Sequence, residues 1–155
     1  MTDELRAHLH FTMRGSYPLR LADLLFCTGT VRYVEYGYLS PVDLAFGSAT
    51  RRARAFAQRV AEDGVERAIE AAERVATQPY GGVDGIDVSE GGLFTRPKVV
   101  VRVANGSDTA VRVHGEFDAD AFVEAVETTV EPHGVPVRRR DGLGLARLVP
   151  GARSP

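Results

Sequence analysis

Cysteine, lysine and long apolar runs are almost missing from this 155-residue chain. A single cysteine, Cys27, excludes an intramolecular disulfide and a cysteine-built zinc site. Lys98 is the one lysine, so arginine carries nearly all the positive charge. No stretch reaches membrane-spanning length, and the first residues, MTDELRAHLHF, hold no apolar segment of the secretory kind. A cytoplasmic location is therefore the expectation. Charge of one sign is scarce as well. A formal net charge of −2 leaves no global basic field to recruit nucleic acid.

Phosphate-loop signatures are also missing, despite 16 glycines. A phosphate loop needs its glycines directly after a buried strand and directly before a helix, so that backbone N–H groups and the helix N-terminus converge on the anion. Gly81-Gly82 stands between a helical pattern and a strand, and Gly91-Gly92 stands between two strands. Neither GxxxxGK[ST] nor GxGxxG occurs, and Gly142-Leu143-Gly144 has no strand–helix context. These glycines turn corners in a sheet.

What is present reads as one α+β domain over residues 1–131, followed by a Gly/Pro/Arg-rich tail over 132–155 that is expected to be extended. Hydrophobic residues make up 44% and charged residues 26%, enough to build one core without staples. Residues 5–13 and 24–39 are rich in aromatic and β-branched side chains and predict two or three strands, with Thr28-Gly29 placed for a hairpin turn. Residues 48–77 change to an alanine-rich, proline-free pattern. Ala49, Ala53, Phe56 and Val60 recur at helical spacing, Val65, Ala68, Ile69, Ala72 and Val75 extend the stripe, and Ser48 is the expected cap. Residues 83–88, 98–103 and 109–114 return to strand patterning, with Asn105-Gly106 suited to a type I′ hairpin. A last helix then begins after Asp118, stapled by Phe117 and Phe122, with Val123, Val126 and Val130 as its buried stripe.

The succession in QPYGGVDGIDVSEGGLFTRPKVVVRVANGSDTAVRVHGEFDADAFVEAVETTV, with LLFCTGTVRYVEYG as a front hairpin, resembles the bacterial and archaeal pleckstrin-homology-like (PH-like) domains over roughly residues 20–131. That resemblance implies a curved antiparallel sheet, a split barrel closed by a C-terminal capping helix. The helical segment 48–77 departs from the family pattern as an insertion.

Several residues are candidates for chemistry. His8 and His10 lie at i, i+2 on a strand, and His114 and Glu116 repeat the spacing, so the four form a candidate N,N,N,O metal site. The alternative is histidines at a strand edge facing water. Tyr36, Tyr38 and His114, with Arg51, Arg52 and Arg59 of the long helix, are candidate ligand-binding residues. Against that stand sheet packing for the tyrosines and a solvated helix face for the arginines, with Arg59–Asp63, Asp63–Arg67 and Glu70–Arg74 pairs. Arg51, Arg52 and Arg59, or Arg138, Arg139 and Arg140, could meet an anionic partner. Cys27 among apolar residues reads as a buried, inert thiol, and the carboxylate pairs Asp84/Asp87 and Asp118/Asp120 read as strand and capping residues.

No catalytic motif emerges and no cofactor is expected. The reading is a non-catalytic binding or self-association module, with a homo-oligomer formed through the long helix or the arginine tail. The alternative is a ligand-binding protein or enzyme with a pocket between sheet and long helix, which its histidines could make metal-dependent.

Overall fold

Alternation along one strand organises the molecule. Strand β2 (Leu19–Cys27) is buried along almost its whole length. Its even residues, Ala22, Leu24 and Phe26, enter the main core, and Leu19, Leu21, Leu25 and Cys27 enter two smaller clusters on the other face. A strand covered on both faces must sit centrally in a sheet with packing on each side.

The structure is a computed structural model describing residues 3–15 and 19–140. Beside β2 run β1 (Leu5–Arg14) and β3 (Thr30–Leu39). Three helices follow: α1 (Pro41–Ala45), α2 (Ser48–Asp63) and α3 (Val65–Glu70). After them come β4 (Arg74–Pro79), β5 (Val83–Ser89), β6 (Lys98–Val103) and β7 (Thr109–Val113), then α4 (Ala119–Val130) and β8 (Val137–Arg140). One eight-stranded sheet results, in the order β4-β3-β2-β1-β7-β6-β5-β8. Its pairs are antiparallel except β5–β8, so the sheet is mixed, with β4 and β8 at its two edges. A narrow cavity of about 170 Å³, lined by Leu24, Tyr33, Ala76 and Val103 among others, lies between β4 and the β6–β7 connection.

The larger core packs the valines of β5, β6 and β7 and the Val123, Val126, Val130 stripe of α4 against β2. Asp118 caps α4 by accepting from the Ala121 N–H at 3.1 Å, and Phe117 lies 5.4 Å from Phe122, as the staple pattern predicts. On the opposite face, α2 buries Ala49, Ala53, Phe56 and Val60.

Four expectations are corrected. The helical pattern expected to run over 48–77 ends after Glu70, while the break at Gly64, at a φ of 85° that no ordinary residue adopts readily, is one that a glycine there allows. Residues 74–79 instead pair with β3, because the open edge of β3 offers hydrogen bonds that a fraying helix end lacks. The cap of α2 is Gly47 in the left-handed region, while the Ser48 hydroxyl donates back to the Asp43 carbonyl. The β6–β7 connection spans five residues, Ala104 to Asp108, and neither Asn105 nor Gly106 has positive φ. Asp108 closes it by accepting from the Val103 N–H at 2.9 Å. Finally, the start of the expected arm is an edge strand, β8, and residues 141–155 lie outside the described residues.

Candidate functional site

Between β5 and β6 the chain makes a tight excursion. Gly91 has φ 82°, and a Cβ there would stand 2.5 Å from the Thr95 carbonyl oxygen, so glycine is required. The Gly92 N–H donates to the Thr95 carbonyl and the Thr95 N–H donates back to that of Gly92, at 3.1 and 3.4 Å. This small hydrogen-bonded turn holds Leu93 and Phe94 at its tip, 85% and 89% exposed. Two large apolar side chains presented to water on a braced turn are an unusual use of surface.

The turn leads into a basic cleft. Phe94, Arg96, Lys98, Arg112 and His114 line it together with Gly15, Leu19 and Thr95, enclosing about 570 Å³. Lys98 stands directly opposite Arg112 across the β6–β7 ladder, and like charges so placed destabilise a sheet by roughly 0.2–1 kcal/mol. Among the described residues, Arg96, Lys98 and Arg112 take part in no ion pair. Arg112 donates to the Gly15 carbonyl, at 2.5 Å. His114 registers this field: burial, with Arg96 and Arg112 adding to it, pulls its pKa down to about 4, so it is neutral at pH 7. The cleft is thus a site of unbalanced positive charge beside an apolar tip.

A second constellation lies on the α2 side of the sheet. In the row Leu19, Leu21, Asp23, Leu25, Cys27, one position is an aspartate with a fully buried side chain. Its Oδ2 accepts from His8 Nε2 at 2.6 Å and His10 Nδ1 at 3.0 Å, and its Oδ1 accepts from the Phe11 N–H at 3.0 Å and the Tyr36 hydroxyl at 2.8 Å. Two bulges create this convergence. On β1, His10 and Phe11 together stand opposite the single residue Asp23, between the Leu9–Leu24 and Thr12–Ala22 pairs, and Phe11 has φ 56°. On β3, Tyr36 is extra between the pairs Leu21–Gly37 and Ala22–Glu35. Bulges re-aim side chains in this way, and strained non-glycine backbone concentrates at functional positions. Burial alone would raise the Asp23 carboxyl, but hydrogen bonds from His10 and His8 hold it below the ordinary carboxylate range. Phe56 of α2 stacks on Tyr36 with ring centroids 4.6 Å apart and meets the His8 ring edge-on.

The expected four-residue metal set therefore does not assemble. His8 and His10 come together, but their third partner is Asp23, and these three form the group of metal-capable donors found among the described residues. His114 stacks instead on Phe11 and opens into the basic cleft, and Glu116 is exposed. The strained Phe11 backbone, whose carbonyl accepts from both His114 and Gly115, turns the two histidine pairs apart. Asp23 was not among the candidates. Its signal is a lone acid inside the apolar run LRLADLLFC.

The remaining candidates scatter as well. Tyr36 is packed under α2, whereas Tyr38 is 48% exposed. Arg51 and Arg52 donate to the carbonyls of Phe46 and Tyr38, Arg59 is exposed on α2, and none of the three helix pairs expected of Arg59, Asp63, Arg67, Glu70 and Arg74 forms. Between sheet and α2, Phe56 packs against Tyr36. Arg138, Arg139 and Arg140 are engaged by acids of the same chain: Asp87 faces the first and last, and Glu90 and Asp120 hold the middle one. Cys27 is buried, and burial pushes its thiol up to about 11, well away from a reactive thiolate.

No family model matches this chain, and no curated protein matches it. Among solved structures it is similar to the hSac2 domain from human phosphoinositide phosphatase Sac2, with a TM-score of 0.52 over 89% of this chain and 77% of that one. The two are 10% identical, so the likeness is one of fold. The fold is an α+β architecture with a large mixed sheet that is not closed. No helix among the described residues is long and apolar enough to cross a membrane.

Proposed function

We propose that this chain is a PH-like, non-catalytic binding module that docks on anionic bilayer surfaces. One observation carries the reading: among the described residues, Arg96, Lys98 and Arg112 stand without acidic partners beside the exposed Leu93-Phe94 tip. Cations near an anionic leaflet contribute about 1 kcal/mol each. Burying Leu and Phe side chains adds about 1.5–3 kcal/mol apiece when complete, and less at partial depth. Together these amount to about 6 kcal/mol, a Kd on the order of 10–100 μM. Such an affinity suits reversible surface binding.

The choice of a bilayer over a soluble anion rests on the tip. A free phosphate has no use for two exposed apolar side chains, whereas an interface with charged headgroups above acyl chains satisfies cation and phenyl ring together. Phosphoinositide, the word in the name of the structurally similar protein, denotes an anionic lipid, which accords with this reading.

Co-sedimentation of the full chain with vesicles tests it. Binding is expected to vesicles of mixed phosphatidylserine and phosphatidylcholine and not to phosphatidylcholine alone. Phe94→Asp, and the triple change Arg96→Ala, Lys98→Ala, Arg112→Ala, should each weaken it by about tenfold or more. Equal binding to neutral and anionic vesicles, or full binding by both variants, would overturn the reading.

A further inference from the structure

We propose that His8, His10 and Asp23 form a binding site for one zinc-class divalent transition metal ion. This site is independent of the docking surface, on the α2-facing side of β1 and β2. His8 Nε2, His10 Nδ1 and an Asp23 carboxylate oxygen all lie within 4.8 Å of one another.

The energetics of Asp23 carry the inference. Its neighbours in the row, Leu21 and Leu25, are fully buried leucines, and a leucine at 23 would continue the row with no charge to desolvate. The carboxylate is kept instead, and two bulges, one of them strained at Phe11, deliver partners to it. The Phe11 N–H and the Tyr36 hydroxyl fill Oδ1. Both imidazoles converge on the other oxygen, Oδ2, so two ring nitrogens and one carboxylate oxygen meet at a single point as a ligand set requires.

The chemistry fits the ion. Two imidazole nitrogens and one carboxylate oxygen select zinc-class ions over Mg²⁺ or Ca²⁺, which take oxygen ligands. In a tetrahedral site with bonds near 2.0–2.1 Å, donor atoms stand about 3.3 Å apart, so the 2.6 and 3.0 Å contacts need open by less than about 1 Å. Each imidazole then presents a lone pair at the nitrogen now facing Asp23, with its proton carried on the other ring nitrogen; no net proton is gained or lost by a neutral ring. Tyr36 and the Phe11 N–H, both on Oδ1, orient the carboxylate as outer partners of a metal ligand do. Asp23 is fully buried while the His8 and His10 side chains are 20% and 35% exposed, which leaves a fourth position toward water.

The test uses the tag-free full chain, stripped with a chelator and dialysed. Zn²⁺ is titrated in competition with a chromogenic chelator, and Co²⁺ is added in parallel to read coordination from its visible spectrum. One equivalent of Zn²⁺ should bind, undisturbed by excess Mg²⁺, and Co²⁺ should give a tetrahedral or five-coordinate spectrum. His8→Ala and His10→Ala should each lose at least about tenfold in affinity. Tyr36→Phe, which removes a positioning hydroxyl and no ligand, should lose about tenfold. Because Asp23→Asn can unfold the core, the partly exposed His10→Ala, checked by circular dichroism, is the deciding variant. Absence of Zn²⁺ binding by the wild type, or unchanged affinity in folded His10→Ala, would overturn the proposal.

Discussion

His114 shows how much one side chain can report. It stacks on Phe11 at 6.2 Å, partly buried, and faces the guanidiniums of Arg96 and Arg112, so its protonated form is disfavoured and its pKa falls from 6.5 to about 4. Because the unfolded chain then binds the proton more readily than the folded one, the contribution is fully present above pH 6.5 and is lost as pH falls toward 4. After allowance for water on its open side, the loss is on the order of 1–2 kcal/mol. Urea unfolding of wild type and His114→Phe at pH 7 and at pH 4.5 should show the smaller acid loss in the variant; equal losses would place His114 outside the field of the cleft. The spacing of His114 and Glu116 offered a metal pair, and nothing local in the sequence placed Arg96 and Arg112 beside the imidazole. Asp23 is the reverse case. A lone acid in LRLADLLFC stands out among its apolar neighbours, but its partners come from two bulges, and a bulge changes which face a residue takes without changing composition.

At the scale of elements, β8 is held by charge. Asp87 of β5 is buried, with Arg102 of β6 at 2.5 Å and Arg140 and Arg138 of β8 at 3.7 and 3.9 Å. Three half-exposed guanidiniums around one carboxylate explain why an arginine run lies down as an edge strand. Asp87→Asn should cost on the order of 2 kcal/mol, below the usual penalty for breaking a buried pair because the arginines keep much of their water. Hydrogen exchange should then lose protection at Val137–Arg140 before the core does; retained protection there would mean that the parallel ladder alone holds β8. Period-two and helical patterns located β1, β3, β5, β6, β7, α2 and α4, since the apolar residues of each recur at strand or helix spacing. β4 and β8 were not legible. Both are sheet edges with mostly exposed residues, and their state is decided by an open neighbour edge rather than by their own pattern.

At the scale of the molecule, the sheet separates two environments. Helices α2 and α3 cover β1–β3 on one face, with Phe56 of α2 against His8 of the His8–His10–Asp23 cluster, while β6 and β7 carry Lys98 and Arg112 to the open cleft. The net charge of −2 is thus unevenly spread, and the composition that argued against a global basic field left a local one unseen. The α+β class was legible because long-range packing follows apolar periodicity. The cleft was not, because it joins the β5–β6 turn to β7 and the end of β1. The chain has no tryptophan, so Phe94→Trp places a single reporter at the tip. Its fluorescence should shift to the blue on adding anionic vesicles, and the shift should fade in about 1 M salt, where the screening length is about 3 Å. Emission that stays at its aqueous wavelength with anionic vesicles present would contradict docking through this tip.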